Sequence, residues 1–465
     1  MEKSTYKTEE QMQFKLTNEF LSALEEAIQN KDEAYIKGQL SDLFPPDVAE
    51  IVDELSLEDS KYLCSFLSKE EAADMLMELE DDVRAQFLDS YTSKDIAANY
   101  ISHLDSDDAA DIIGELPDEK REEVISNIQD IEQAKGIVDL LKYDEDTAGG
   151  LMAKELVKAN VNWTILMAVR EMRKQVEKQE IDELYTIYVV DDNERLLGTL
   201  SLKKMLLSEP KTKIDGIYNP DTIFVKATLK AEEVANIMNK YDLVVLPVVD
   251  ELGRLVGRIT IDDVVDVIKE EADKDYQMMS GISQNIETTD SLYVITKARL
   301  PWLVIALFGG MVGARIIGNY EDQISVYPEM AFFMPLVAAM AGNAGVQSSA
   351  LVVQGLANNS LSRDNLMLRI LKELSVGLAN GFICSMIILA FSVFFKYSIA
   401  LSMTVSVALM TVITFASILG ALFPLTLNKM KIDPALATGP FITTSNDILG
   451  FFVYFMIGRL MYGLF

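Results

Sequence analysis

Asp447 lies inside an otherwise apolar stretch of the chain. An ionised carboxylate at the centre of a membrane-spanning helix costs about 2.5–3.5 kcal/mol, so it is expected to face water or a cation. Thr443 lies one turn earlier, and Gly439 and Pro440 predict a break in the helix that would free backbone oxygens. Carboxylate, hydroxyl and carbonyl oxygens are ligands for hard divalent cations. The alternative is a protonated Asp447 hydrogen-bonded to a neighbouring helix.

A second polar pair, Asn343 and Gln347, interrupts another apolar stretch. The two residues are four apart and therefore share one face of a helix. Their amides could hydrogen-bond the water shell of a passing ion. The small residues beside them, such as Gly342 and Gly345, equally favour close helix packing.

The charge of the chain is divided unevenly. Residues 299–465 contain nine Lys/Arg and seven Asp/Glu, whereas residues 1–298 contain 32 Lys/Arg and 65 Asp/Glu, a net charge of −33. Such an acidic region excludes nucleic acid as a partner and favours cations. His103 is the only histidine and Cys384 stands alone in the apolar part, so zinc and copper are not favoured. With no nucleophile–base pair or metal triad, we do not expect an enzyme.

The apolar part is expected to cross a membrane, because about 20 apolar residues in a helix suffice to do so. Residues 330–362, 375–395 and 397–428 contain no charged side chain. The predicted spans are 299–320, 330–358, 373–396, 398–428 and 434–464.

Five spans place the two ends of the chain on opposite sides of the membrane. If the acidic part is cytosolic, the inner loops carry Arg363, Arg369, Lys372, Lys429 and Lys431, and the outer loops carry only Lys396. Basic residues concentrate on the inner side, so we expect cytosolic N-terminal domains and an outside C-terminus in the cell membrane.

Residues 1–147 are predicted to form an acidic, superhelical α-domain. The segment that begins Asp47-Val-Ala-Glu-Ile-Val recurs as Glu71-Ala-Ala-Asp-Met-Leu, Asp95-Ile-Ala-Ala-Asn-Tyr and Asp108-Ala-Ala-Asp-Ile-Ile. Each copy has an acidic first turn and apolar positions at helical spacing. Short helices of about ten residues that bury their apolar stripes against one another are typical of such repeats.

Residues 148–275 are predicted to be α/β. The segment from Ile187 to Ser201 matches the segment from Leu246 to Thr260 at an offset of 59 without a gap, each as strand, acidic turn and strand before a helix. The pair resembles a tandem CBS (Bateman) module. Such modules often bind adenine nucleotides through Ser/Thr-x-x-Asp, here Thr260 and Asp263, which implies an ATP site at the second copy. The same two residues also satisfy the requirements of a helix N-cap, and the first copy lacks the Asp.

An acidic run, 262–275, follows the second copy. It could be an exposed face that keeps the protein soluble. It could equally bring like charges close together, in which case divalent cations bridging facing carboxylates would relieve the repulsion.

Three long motifs resemble the signatures of the MgtE family of magnesium channels. They are Gly342-Asn-Ala-Gly-Val-Gln, Asp433-Pro-Ala-Leu-Ala-Thr-Gly-Pro-Phe-Ile-Thr-Thr-Ser-Asn-Asp447 and Asp146-Thr-Ala-Gly-Gly-Leu-Met. The resemblance covers the whole chain and implies a multi-domain membrane protein: a helical N-domain, tandem CBS domains, a connecting helix over 276–298 and a five-helix transmembrane domain over 299–465.

The resemblance implies a homodimer with an ion path at the two-fold axis, lined by the second and fifth spans. Asp447 is then the central Mg²⁺-binding carboxylate, and Gly439 and Thr443 lie along the path through backbone oxygens. Cytosolic Mg²⁺ bound by the acidic domains would move the connecting helix and close the pore. The implied sensing residues are Asp263, Asp266, Glu271 and Asp275, with Asp107 and Asp111 as partners of the Asp263 region.

Two other functions are compatible with these residues. A carrier could exchange Mg²⁺ or Co²⁺ against Na⁺ or H⁺, although no further carboxylate is expected on the path. A membrane-anchored nucleotide or metal sensor would transport nothing, but would leave Asp447 and the broken fifth span without a purpose.

Overall fold

The computed structural model describes residues 14–462 apart from 180, 182–183, 185, 284–285, 287–290 and 358–365. Arg363, which the sequence places in an inner loop, lies outside the described residues. The chain forms two compact units, with the division between Ile268 and Lys269. The first unit contains short helices and two small sheets, and the second contains long apolar helices.

The first unit begins with short helices, most of them capped by a Ser, Thr or Asp side chain that accepts a hydrogen bond from the first turn, as Ser68 does from Glu71. In the described residues these helices are α1 (Asn18–Gln29), α2 (Glu33–Leu40), α3 (Pro45–Glu54), α4 (Leu57–Cys64), α5 (Lys69–Met77), α6 (Asp81–Asp89), α7 (Ser93–Asn99), α8 (Ser106–Glu115), α9 (Asp118–Asn127) and α10 (Ile131–Leu140). The predicted array of helices of about ten residues is confirmed.

The repeats of the sequence bury the same positions in three of the four copies. The apolar pairs at the second and third, and at the fifth and sixth, residues of the repeat are inaccessible to solvent in α3, α5 and α8. These residues are Val48, Ala49, Ile51, Val52, Ala72, Ala73, Met75, Leu76, Ala109, Ala110, Ile112 and Ile113. Because each short helix exposes this stripe on its own, the stack is held together by the contacts between copies.

Two three-stranded sheets follow, one for each copy of the 59-residue repeat. In the first, β1 (Val157–Asn160) pairs in parallel with β2 (Ile187–Val190), which pairs antiparallel with β3 (Leu196–Leu200). In the second, β4 (Val225–Lys226), β5 (Val245–Val249) and β6 (Leu255–Thr260) have the same order and directions. The helices of this region are α11 (Ile165–Gln179), α12 (Leu202–Leu206) and α13 (Ala231–Tyr241). The predicted doubled α/β pattern is confirmed.

The connecting segment is not the single helix predicted over 276–298. Helix α14 (Ile261–Met279) ends where Gly281 adopts a left-handed conformation with φ +81°, and the next helix begins only at Leu292, after its N-cap Ser291. A left-handed residue cannot continue an α-helix, so the apolar and charged pattern runs through a turn.

The second unit contains five helices that are long and apolar enough to cross a membrane. They are α15 (Leu292–Asn319), α17 (Met330–Ala357), α18 (Leu366–Phe394), α19 (Ile399–Lys429) and α20 (Gly439–Tyr462), with a short α16 (Glu321–Val326) between the first two. Helix α19 is the most buried of the five, and α15 exposes most of its surface within the chain. An apolar surface of this kind is stable against lipid or against another apolar surface.

Three of the predicted spans need correction at their starts. Helix α15 begins at Leu292 rather than 299. Helix α18 begins at Leu366 rather than 373, so Arg369 and Lys372 belong to the helix rather than to a loop. Helix α20 begins at Gly439 rather than 434, because residues 434–437 form a separate 3₁₀ turn capped by the Asp433 carboxylate, which accepts a hydrogen bond from Ala435 N at 2.8 Å.

Candidate cation sites

Asp447 is half-buried on the face of α20 that packs against α17. Gly342 on α17 leaves the necessary room: a Cβ added there would lie 3.2 Å from Thr443 Cγ2 and 3.9 Å from Asp447 Oδ1. Asp447 forms no ion pair with any residue in the described part of the chain. A carboxylate in this position lacks a compensating charge from its own unit.

Two cavities border Asp447. One, of about 290 Å³, is lined by Asn343 and Gln347 of α17 and by Thr443 and Asp447 of α20. Six water molecules of about 30 Å³ each occupy about 180 Å³, so this cavity has room for a hydrated Mg²⁺. The structure therefore brings together four of the five residues that the sequence places along the path.

The fifth residue, Gly439, lines the other cavity together with Thr443 and Asp447; this cavity has a volume of about 480 Å³. The carbonyl of Gly439 accepts a hydrogen bond from Thr443 Oγ1 at 3.1 Å. Gly439 has φ +25°, and any Cβ there would collide with the carbonyl oxygen of Met279 at the end of α14. The position thus admits backbone contacts and excludes a side chain.

The preceding residue, Asn446, is rotated from Asp447 by about 100° around the helix axis. Its side chain is 1% exposed, lies against Gly345 of α17, and has no hydrogen-bond partner for either amide atom among the residues that the structure describes. Gly420 of α19 has no side chain, which leaves room for the carbonyl of Gly345. Three helices meet closely at this point, directly behind the carboxylate.

Glu373 was not predicted from the sequence to be a functional residue. This carboxylate is only 4% exposed on α18; Ser348 of α17 donates to its Oε2 at 3.0 Å, and Arg369 Nη2 lies 3.3 Å from its Oε1. A cavity of about 840 Å³ is lined by these three residues and also by Asn343 and Gln347. The signal in the sequence is the spacing Arg369-x-x-x-Glu373, which places opposite charges on one helix face.

In the first unit, the acidic side chains of α8 lie close to Asp263 at the start of α14. Burial, and then the charges of Asp108 and Asp263, raise the pKa of Asp107. Burial, and then Asp263, raise the pKa of Asp108 to about 7. Burial and the charges of Glu145, Glu115 and Asp263 raise the pKa of Asp111 to about 7. The structure therefore brings Asp107 and Asp111 close to Asp263, the pairing that the sequence analysis expected.

Asp105, Asp107 and Glu155 form a group of metal-site dimensions, with carboxylate oxygens within 4.8 Å of one another. Two of these charges are partly compensated: Ser106 Oγ donates to Glu155 at 2.8 Å, and Arg258 lies 3.4 Å from Asp105. Oxygen ligands of this kind suit Mg²⁺ or Ca²⁺. Asp105, Asp108 and Glu155 were not predicted from the sequence as cation ligands. Glu155 is 49 residues from Ser106 along the chain, and only the fold brings these two residues together.

The other expected sensing residues lie further along α14. Asp266 is exposed. Glu271 forms an ion pair with Lys274 at 2.9 Å, and both Glu271 and Asp275 belong to the second unit.

Thr260 and Asp263 contact each other. Thr260 donates to Asp263 Oδ2 from both its backbone N, at 3.1 Å, and its Oγ1, at 2.6 Å. The bond from Thr260 N is the one in which the third helical residue of a capping box accepts from the N-cap backbone. Both bonds oppose the rise in the pKa of Asp263 that burial causes. The neighbouring cavity between the two sheets, lined by Tyr188 and Arg258, is only about 10 Å³.

The chain matches three family models. These are a divalent cation transporter (MgtE) over residues 334–457, the MgtE intracellular N domain over 43–146, and the CBS domain over 148–209 and 214–270.

Among curated proteins, the chain is 32% identical to the magnesium transporter MgtE of Thermus thermophilus over 446 residues, covering 94% of this chain and 98% of the relative. It is 32% identical to the magnesium transporter MgtE of Bacillus subtilis over 418 residues, covering 90% and 92%. A crystal structure of the cytosolic domain of the Mg²⁺ channel MgtE in complex with ATP is similar to 53% of this chain and covers 99% of that domain, with 34% identity and a TM-score of 0.48.

Proposed function

Because the chain belongs to the MgtE family of magnesium transporters, we propose that it carries Mg²⁺ into the cell along a path past Asp447. The observation that carries this proposal is the position of Asp447, an uncompensated carboxylate in an apolar helix, on a cavity that Asn343 and Gln347 also line. An ion must supply the charge that the unit itself does not supply.

The ion is proposed to pass in hydrated form. Mg²⁺ gives up its waters reluctantly, and the groups on the cavity are a carboxylate, two amides and a hydroxyl that can hold the water shell. Thr443 uses its hydroxyl hydrogen on the Gly439 carbonyl, so its oxygen can accept a hydrogen bond from an ion-bound water. An ion with two positive charges that enters a cell with an inside-negative potential of 100 mV gains about 4.6 kcal/mol. Entry therefore needs no ATP.

A channel suits the second unit better than a coupled carrier does. A carrier needs a further site for Na⁺ or H⁺, and the other buried membrane carboxylate, Glu373, is already neutralised by Arg369. The proposed orientation has the first unit in the cytosol and the C-terminus outside, because Arg369, Lys372, Lys429 and Lys431 then lie on the inner side.

Cytosolic Mg²⁺ is proposed to close the path by binding where α8 faces the start of α14. The charge of Asp263 contributes to the raised pKa values of Asp107, Asp108 and Asp111, so the four carboxylates are packed against electrostatic repulsion. A divalent cation between them stabilises the packed state by differential binding. Asp266, Glu271 and Asp275 are proposed to act in the same response as exposed or half-exposed carboxylates along α14.

Two further features are proposed for the assembly. A homodimer is proposed because the polar face of Asn343 and Gln347 is exposed within one chain, and amides at membrane depth need a polar cover or water. ATP is proposed to bind at Thr260 and Asp263 of the second CBS copy, a role that requires the N-cap bonds between them to rearrange.

The test is uptake of Mg²⁺ by a magnesium-starved host that expresses the full chain. Asp447→Asn is expected to lower uptake at least about 100-fold, as the loss of a preorganised charge contact predicts. Asp433→Asn is the matched control, because Asp433 caps the preceding turn and lines neither cavity. Equal uptake by wild type and Asp447→Asn would refute the proposed path.

A further inference from the structure

The buried hydrogen bond between Ser348 and Glu373 ties the helix with the polar face, α17, to its neighbour α18. Ser348 directly follows Gln347, and the bond is buried at both ends: Ser348 is 5% exposed and Glu373 is 4% exposed. Close packing and interhelical hydrogen bonds, rather than the hydrophobic effect, hold helices against each other in a membrane.

Glu373 is not a second cation site. Its charge is already balanced by Arg369, and Lys372, which lines the same cavity, adds a positive charge that has no ion-pair partner among the described residues. A divalent cation entering there would meet more positive than negative charge. The carboxylate is therefore available to hold α17 rather than to bind the transported ion.

Helix α17 is held to three neighbouring helices within one turn. Gly345 contacts Gly420 of α19 and Asn446 of α20, and Ser348, three residues later, is bonded to Glu373 of α18. The hydrogen bond is directional, whereas the glycine contacts are not, so the bond constrains rotation of α17 about its axis. Side chains extend about 5–6 Å from a helix axis, so a turn of 10° moves an amide at Gln347 by about 1 Å.

We propose that the Ser348–Glu373 hydrogen bond, with Arg369 as counter-charge, sets the rotation of α17 and so determines ion selectivity through the positions of Asn343 and Gln347. Glu373 and Ser348 are positioning residues that act through these two amides. The inference rests on the proposed function, in which the amides hold the water shell of Mg²⁺. Selection by water-mediated contacts depends on spacing, because Mg²⁺ keeps a rigid octahedral shell and larger or softer ions do not.

The decisive comparison is between two adjacent serines of α17. Ser348→Ala removes the hydroxyl bonded to Glu373, whereas Ser349→Ala removes an equally buried hydroxyl that has no hydrogen-bond partner among the described residues. The measurement is the initial rate of Mg²⁺ and of Co²⁺ uptake by full-length protein in proteoliposomes. We expect the ratio of the Mg²⁺ uptake rate to the Co²⁺ uptake rate to change at least about threefold in Ser348→Ala. That change corresponds to only part of the free energy of a hydrogen bond to a charged group. In Ser349→Ala we expect the ratio to stay unchanged.

A purely structural role would lower both rates together and leave their ratio unchanged, and that result would overturn the inference. An equal change in Ser349→Ala would overturn it as well. Glu373→Gln is the second variant, decisive if Ser348→Ala does not fold: it keeps an acceptor oxygen but weakens the bond, so a smaller change in the same direction is expected, and an unchanged ratio counts against the inference. Loss of uptake in Asp447→Asn with unchanged ratios in these variants leaves the proposed function intact and rejects only the positioning role.

Discussion

The two units of the chain hold their buried carboxylates in opposite ways. In the second unit, Glu373 has an arginine and a serine hydroxyl as partners within the same helix bundle. In the first unit, Asp107, Asp108 and Asp111 lie near Asp263, whose charge contributes to raising the pKa of each of them. A balanced charge stabilises one arrangement under all conditions, whereas crowded charges make the arrangement depend on cations in solution.

Asp447 differs from both groups. It is half-buried without an ion pair among the described residues, and it borders two cavities. Glu373 and Asp447 both belong to long apolar helices of the second unit, but only Glu373 has a nearby guanidinium. The proposed difference in their roles rests on that contrast.

The largest expected effect comes from unbalancing Glu373. Arg369→Gln leaves a buried carboxylate without its counter-charge and is expected to destabilise the protein by about 3–5 kcal/mol. Arg369→Gln combined with Glu373→Gln removes both charges and is expected to recover most of that loss. The measurement is the melting temperature of the detergent-solubilised protein. Lys372→Gln, at an exposed position of the same helix, is the control; a double variant as unstable as Arg369→Gln alone would contradict the balance.

A second, smaller effect is expected from the crowded carboxylates. Asp263→Asn removes the charge that lies near all three α8 carboxylates. It is expected to raise the Mg²⁺ concentration needed for closure about tenfold, which corresponds to about 1.4 kcal/mol of binding free energy. The measurement is protease protection of the full-length protein across a Mg²⁺ titration. A titration curve that matches wild type would show that Asp263 does not contribute to cation binding.

The crowded carboxylates also predict a pH dependence of the opposite sign to ordinary acid denaturation. The pKa values of Asp108 and Asp111 are raised from 3.8 to about 7 in the folded protein, so the packed state binds more protons than the separated state between about pH 4 and 7. Without Mg²⁺, protease protection is therefore expected to increase as the pH falls from 8 to 6. With saturating Mg²⁺, which replaces the protons, the increase should disappear. Protection that falls on acidification without Mg²⁺ would reverse the assignment.

The smallest effect is expected at Asp266. Its side chain is exposed, and isolated surface charges contribute at most about 1 kcal/mol. Asp266→Asn is expected to change the Mg²⁺ concentration for closure less than about twofold, in the same titration as Asp263→Asn. Equal shifts in the two variants would mean that exposure on α14 is a poor guide to the cation sites.

Much of the fold was predictable because its signals are repeated. The buried stripe of α3 recurs in α5 and α8, and the 59-residue repeat produces two sheets of the same topology. The five apolar helices follow from the lack of charges. Asp447, Asn343 and Gln347 were found because polar residues are rare in such stretches.

The rest depended on information that local patterns do not hold. The helix break at Gly281 follows from one left-handed residue within a continuous charged and apolar pattern. Glu373 lies at the edge of its charge-free stretch, and its burial depends on Ser348 from another helix. Glu155 reaches α8 through a contact between segments 49 residues apart, which a single sequence does not reveal.

The length of α14 has a mechanical consequence. Its 18 steps from Ile261 to Met279 extend about 27 Å, so a tilt of about 5° at its first turn moves its last carbonyl by about 2 Å. That carbonyl lies against Gly439, where no side chain cushions the contact. Because Gly439 has no side chain, the end of α14 lies directly against the first turn of α20, and a displacement of that carbonyl acts on the α20 backbone itself.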